Sequence, residues 1–287
     1  MGKTAFVLTM ARNMAVEHKT PVAFFSLEMS SKQLVKRLLV SETGLSSEKI
    51  RGGKKFEEYE MHQLHQRIRD LSTAPLFIDD TPSLSIYEFR SKARRLVNNA
   101  KVKLIIIDYL QLMTLNSKDD KSALKVGSRE QEVSSISRSL KGLAKELDIP
   151  VIALSQLSRA VEKRDSSNSN VDGKKPLLSD LRESGAIEQD ADMVCFIHRP
   201  EYYKLYDDGN GKDLRGLGQI IVAKHRNGAT DEIWLRFIGK YTRFQNENDA
   251  FEDDLYANVT YATQSSKMNM LPQEAEGAKL DDDIAPF

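Results

Sequence analysis

Cysteine is almost missing from this 287-residue chain, where Cys195 stands alone. One thiol cannot close an intrachain disulfide, so a cross-linked secreted scaffold is excluded and a reducing compartment, the cytoplasm, is expected. The thiol lies within an apolar run (MVCFIH) and reads as a core residue. No apolar run approaches the roughly 20 residues that span a bilayer, and no signal-peptide pattern opens the chain, so a membrane is not an expected partner. A G-x-G-x-x-G fingerprint is lacking, which argues against dinucleotide and flavin chemistry. His62 and His65, at i and i+3, have no third ligand near them in sequence and read as a helix surface. Neither sign of charge is in excess, with 42 basic and 42 acidic residues.

That balance hides an asymmetry. From Gln245 to Phe287 ten acids face only Lys267 and Lys279, so this segment carries −8 and the rest of the chain +8. A basic body suits a protein that holds an anionic polymer or a nucleotide. After about Asn246 the periodicity fades and Asn, Gln, Ser and acids dominate, so residues 246–287 are expected to form a disordered acidic tail. Residues 1–245 are expected to form one domain.

Apolar patterning in that domain alternates between strand and helix. Val22–Leu27, Pro75–Asp79, Lys103–Asp108 and Val151–Ser155 read as strands, and Ala191–His198 continues the series. Helices are expected over Ala5–Glu17, from Ser30-Ser31 to about Ser41, and over Phe56–Leu71, Ser83–Asn99 and Arg129–Leu147. The interior of Lys103–Asp108 is wholly apolar, as in a sheet covered on both faces. Gly218–His225 and Glu232–Ile238 flank Arg226-Asn227-Gly228-Ala229-Thr230 and read as a hairpin. The order predicts a doubly wound α/β domain, a mostly parallel sheet with helices on both faces, extended by antiparallel strands.

The chemistry gathers at strand ends. Met1-Gly2-Lys3-Thr4 fits the last four positions of G-x-x-x-x-G-K-[ST]. In that loop backbone N–H groups wrap the phosphates, the lysine reaches the β- and γ-phosphates, and the threonine hydroxyl holds Mg2+. Three strands end in polar residues at the sheet edge where α/β ligands bind: Glu28, Asp108 and Gln156. Asp108 is placed to hold Mg2+ through its water shell, Glu28 to act as general base on the attacking water, and Gln156 to sense the γ-phosphate of ATP.

The segments FFSLEMS (24–30), IIIDYLQLM (105–113), REQEVSSISRSLKGLAKELDIPVIALSQLSR (129–159), LLSDLRESGAIEQDADMV (177–194) and AKHRNG (223–228) resemble the bacterial replicative helicase family, DnaB. The resemblance runs from Met1 to about Phe244. It implies that family's C-terminal motor domain, a RecA-like P-loop NTPase. By this resemblance Gly2, Lys3 and Thr4 belong to the phosphate loop, Glu28 is the catalytic glutamate, Asp108 the magnesium-associated aspartate and Gln156 the sensor. Lys224 and Arg226 match a basic pair that completes the active site of the adjacent subunit, because charge on the transferring phosphoryl group needs an outside cation.

DNA contact is expected from loops. Residues 163–176 are polar, with Lys163 and Arg164 at one end and Lys174 and Lys175 at the other. The stretch Arg182-Glu183-Ser184-Gly185 matches the family's DNA-contacting loop. Neither segment holds an aromatic ladder, which favours backbone tracking over base stacking. The resemblance further implies a homohexamer around single-stranded DNA, 5′→3′ movement, and primase and helicase-loader partners.

Two rivals stay open: a RecA-like recombinase ATPase, and an inactive fragment. The second arises because half of the phosphate loop and the strand before it are expected upstream of Met1. The chain as given is expected to bind ATP poorly and not to unwind DNA. The ending Leu280-Asp281-Asp282-Asp283-Ile284-Ala285-Pro286-Phe287 resembles the acidic tip of bacterial single-stranded-DNA-binding proteins, which implies a tail-docking partner.

Overall fold

A computed structural model describes residues 2–50, 52, 55–115, 128–158, 171–209 and 211–249. The chain divides into two units, Met1–Glu247 and Asn248–Phe287. The expected acidic tail lies almost wholly outside the described residues. All the elements below belong to the first unit.

Four strands, β1 (Val22–Ser26), β2 (Leu76–Asp79), β3 (Leu104–Asp108) and β4 (Val151–Ala153), form a parallel sheet in the order β2-β1-β3-β4. In β1 and β3 every residue is buried, which is why these runs show no polar alternation. Successive side chains still point to opposite faces. Ala23, Phe25, Ile105 and Ile107 pack with Ile86, Phe89 and Ala93 of α5 (Ile86–Ala100) and Val133, Ile136, Leu140 and Leu143 of α6 (Arg129–Leu147). Val22, Phe24, Leu104 and Ile106 pack with Val7, Leu8 and Ala11 of α1 (Lys3–Arg12) and Leu34 and Leu38 of α2 (Ser31–Thr43). Helices therefore cover both faces, as expected.

Local signals set the helix ends. The Ser30–Gln33 and Ser85–Glu88 pairs make reciprocal capping boxes at the starts of α2 and α5. Gly44, at φ 64°, closes α2 in the left-handed region that favours glycine. A short α3 (Ser47–Ile50) leads to α4 (Glu58–Thr73). The helix expected over Ala5–Glu17 is α1 followed by one π turn, Asn13–Glu17.

Three expectations need correction. Met193–His198, β5, does not extend the parallel series. It pairs antiparallel with β6 (Leu217–His225), in a second sheet of order β5-β6-β7-β8 with β7 (Asp231–Ile238) and β8 (Arg243–Asn246). Cys195 is exposed, not core: along β5 Val194, Phe196 and His198 are buried while Met193 and Cys195 face out. An apolar run on a half-covered strand looks the same in sequence as one in a core. Lastly, β4 is shorter than expected and only half-buried; just past it the Leu154 N–H donates to the Ile107 carbonyl, and the Leu154 carbonyl accepts from the Leu110 N–H.

Candidate nucleotide site

The parallel register brings three strand ends together. Ser26 stands opposite Asp108, and the Leu27 N–H donates to the Asp108 carbonyl at 2.7 Å. Beyond β1 the chain turns sharply. The Ser26 hydroxyl accepts from the Met29 N–H at 3.2 Å and donates to the Met29 carbonyl at 2.7 Å, which fixes the loop holding Glu28. The same loop is tied down at its far end, where the Ser31 N–H donates to Asp80 Oδ2 at 2.7 Å.

Gly2 begins α1 at φ 100° and ψ 13°, so the chain enters the helix through a conformation few side chains adopt. A side chain there would also sit 3.4 Å from the Phe244 ring. Lys3 Nζ donates to the Ser155 carbonyl at 3.0 Å and stands 5.9 Å from the Tyr109 ring centroid. Burial lowers the Lys3 pKa from its ordinary value, while Asp108 and Glu28 pull it back up. Glu28 is thus electrostatically coupled to both Lys3 and Asp108.

Asp108 is 1% exposed. Burial pushes its pKa up, opposed by a hydrogen bond from the Thr4 hydroxyl, reinforced by Glu28, and opposed again by Lys3 and Arg37. Its Oδ2 has no hydrogen-bond partner among the described residues. An orphaned buried carboxylate oxygen beside a threonine hydroxyl fits a hard divalent cation such as Mg2+, which takes one or two protein oxygens and fills its shell from water and phosphate. No cluster of three or more His, Cys, Asp or Glu suited to a metal occurs among the described residues.

Gln156 follows β4, and Gln111 holds it. Gln111 Nε2 donates to Ser155 Oγ at 2.7 Å, and its Oε1 accepts the Gln156 N–H at 3.4 Å. Arg129, at the start of α6, donates in turn to the Gln111 and Met113 carbonyls. A cavity of about 440 Å³ opens here between Gln111, Arg129, Gln156, Asp180 and Leu181. Gln111 was not among the expected site residues, although it lies three positions past Asp108 in the same motif. Asp80 is likewise not among the expected residues, and its only sequence signal is its place just past the end of β2.

The structure gathers Lys3, Thr4, Glu28, Asp108 and Gln156, and leaves the remaining candidates apart. Lys224 and Arg226 sit at and just past the end of β6, with Arg226 opening the hairpin turn. They bond to α7 (Gly185–Asp190) and to Asp192. Arg182-Glu183-Ser184-Gly185, expected as a loop, has helical backbone instead: a 3-10 stretch, Leu178–Ser184, runs directly into α7. Leu178 and Leu181 anchor that stretch against Val194, Phe196 and Ile221 of the second sheet. The expected polar loop contains a 3-10 turn, Val171–Lys174, and Lys175 is paired with Glu232 of β7 at 3.0 Å. Lys163 and Arg164 lie outside the described residues.

The model of the DnaB-like helicase C-terminal domain family matches residues 1–246. The replicative DNA helicase DnaB of Geobacillus stearothermophilus is 44% identical over 253 residues, covering 88% of this chain and 52% of that protein. The replicative DNA helicase DnaC of Bacillus subtilis (strain 168) is 43% identical over 255 residues, again 88% and 52%. The chain therefore spans about half the length of these relatives. A solved DnaB-like replicative helicase, described with its interactions with primase, superposes at TM-score 0.73 and 38% identity over 86% of this chain and 55% of its own. A solved ATPase domain does so at TM-score 0.73 and 37% identity, over 85% and 80%. The chain belongs to the DnaB-like helicase C-terminal domain family.

Proposed function

We propose that this chain is the motor domain of a replicative helicase that hydrolyses ATP with Mg2+ and moves 5′→3′ on single-stranded DNA as a hexameric ring. One observation carries the reading: a buried Asp108 whose Oδ2 has no hydrogen-bond partner among the described residues, set beside Thr4, Lys3 and Glu28 at the ends of parallel strands. A buried carboxylate with one unsatisfied oxygen costs stability, and such a cost is ordinarily kept where the group has work to do.

Thr4 Oγ1 and Asp108 Oδ2 are the atoms that would hold Mg2+, which supplies charge neutralisation at the phosphates. Lys3 is half-buried and weakly tethered, so it can leave the Ser155 carbonyl for the β- and γ-phosphates. Glu28 stands beyond Asp108 on a loop fixed at both ends, suited to take the proton of the attacking water. Gln156, clamped through its backbone by Gln111, keeps its side-chain amide for the γ-phosphate. Lys224 and Arg226 would act on the ATP of an adjacent subunit. Arg182, Glu183 and Gly185 would track DNA phosphates, helped by Lys163, Arg164, Lys174 and Lys175. By kinship primase and a loader are the expected partners, the tail a further docking element, and the cytoplasm the compartment. No helix among the described residues is long and apolar enough to cross a membrane.

The test is ATP turnover with and without a single-stranded oligonucleotide, on a chain carrying the whole phosphate loop, beside a Glu28→Gln control. Loss of a general base is worth about 10²–10⁴ in rate. Turnover that rises with DNA and falls by that factor in the control supports the reading. Turnover indifferent to DNA overturns the DNA-tracking assignments and points to a protein substrate.

A further inference from the structure

Lys224 and Arg226 turn back onto a helix of their own chain. Lys224 Nζ donates to the Glu188 carbonyl, and Arg226 Nη2 to the Gln189 carbonyl. Both acceptors lie in the last turn of α7, where carbonyls lack partners within the helix and the helix dipole is negative. Arg226 is fixed twice more: its N–H donates to the Asp192 carbonyl at 2.9 Å and its Nη1 reaches Asp192 Oδ1 at 3.3 Å. The second carboxylate oxygen of Asp192 is taken by Lys141 of α6.

The two cations assigned to an adjacent subunit's phosphates are therefore the C-terminal cap of α7. At its other end α7 starts at Gly185, the last residue of the stretch assigned to DNA, and it is only six residues long. A helix of that length has little stability of its own and depends on what holds its ends. The guanidinium that satisfies Gln189 and Asp192 must leave both to meet a phosphate on another subunit.

We propose that Lys224 and Arg226 have two seats, one on α7 and one on the neighbour's ATP, and that Asp192 sets the balance between them. Seated on α7, the pair stiffens the helix that carries the DNA-tracking stretch; seated on ATP, it lets that helix go. The nucleotide at one interface then controls the DNA grip of the subunit that supplies the cations. Asp192 is a positioning residue in this scheme. Lys141 weakens its hold on Arg226 by sharing the carboxylate. The inference rests on reading Lys224 and Arg226 as cations acting in trans.

The test is ATP turnover of the full-length protein, with and without oligothymidylate. Asp192→Asn keeps the shape and removes the charge, so the α7 seat weakens. DNA-free turnover is expected to rise about two- to five-fold, the factor an exposed ion pair is worth, while the DNA-saturated rate stays put. Lys141→Met leaves the carboxylate to Arg226 alone, and DNA-free turnover is expected to fall by a similar factor. Opposite signs are something a merely structural ion pair would not give. A fall in both variants, or no change in either, overturns the proposal. Arg226→Ala is measured beside them. If it turns over ATP like the parent, the trans-cation reading has failed. If it is inactive while the other two match the parent, the two-seat inference alone has failed.

Discussion

Lys3 Nζ donates to the Ser155 carbonyl at 3.0 Å, tying the first turn of α1 to the residue before Gln156. The lysine proposed to hold ATP and the glutamine proposed to sense it are thereby joined across one peptide unit. The same serine takes Gln111 on its hydroxyl, so Ser155 is where the two halves of the site meet.

Replacing Lys3 by alanine is expected to lower turnover by about 10²–10³, the usual cost of removing one preorganised cation or donor from a phosphoryl-transfer or acyl-transfer site. The fold should hardly notice. One partly buried hydrogen bond is worth about 0.5–1.5 kcal/mol, so the melting temperature moves by a few degrees at most. A collapse in melting temperature equal to the loss of rate would make the lysine structural instead.

Asp108 is expected to trade the other way. Burial disfavours its charged form more than Thr4, Lys3 and Arg37 favour it, and Oδ2 has no hydrogen-bond partner among the described residues. Asp108→Asn keeps an acceptor for the Thr4 hydroxyl and removes the buried charge. In buffer free of divalent cations the variant should melt above the parent, and its Mg2+-dependent turnover should be lost. A variant that melts below the parent would show that the carboxylate is already paid for by its surroundings.

Much of this arrangement was legible in the residues, and the part that was not has a common cause. Asp108 announces its place because Leu104–Ile107 are all apolar and all buried, and a polar residue ending such a run must lie at the sheet edge. Glu28 follows β1 in the same way. By contrast, Asp192 is held by Lys141 and Arg226 from 51 and 34 positions away, and Asp80 caps Ser31 from 49 positions away. No local pattern encodes such pairs, because only the tertiary fold makes them neighbours. The misplacement of β5 has a related origin. Met193–His198 looks like one more core strand, and its direction depends on β6, about twenty residues on and reached through a 3-10 turn, Pro200–Tyr203. Cys195, on the same strand, is exposed for the same reason.

Glu42 gives a stability prediction away from the chemistry. Its side chain is 1% exposed and takes Arg12 at 2.5 Å and Arg67 at 3.3 Å, joining α1, α2 and α4. Truncating one partner of a buried ion pair strands the other, at about 3–5 kcal/mol. Arg12 keeps a second partner in Glu17, so Glu42→Ala should cost about 3 kcal/mol, the lower end of that range. Denaturant unfolding reads this as a drop in midpoint with an unchanged slope. A cost under about 1 kcal/mol would mean that the arginines find water as readily as they found Glu42.

Asp80 links stability, acid and catalysis in one residue. Its carboxylate accepts the Ser31 N–H, and the hydrogen bonds from Ser31 hold its pKa below the ordinary 3.8. A depressed carboxylate stabilises the fold above its unfolded pKa and loses that contribution as pH falls through the lower folded value. Parent and Asp80→Asn should therefore differ in melting temperature at neutral pH and converge in acid below the ordinary carboxylate range. The difference should be small, because the group is exposed. Its effect on rate should be larger than its effect on melting, since Ser31 ends the loop Glu28-Met29-Ser30 and a loosened loop would let Glu28 drift from the water it is proposed to activate. Turnover is expected to fall about tenfold, with Glu28→Gln and the Asp80→Asn, Glu28→Gln double variant equally inactive, because a mispositioned base that is already absent costs nothing further. Full turnover in Asp80→Asn would show that Ser26 alone fixes the catalytic loop.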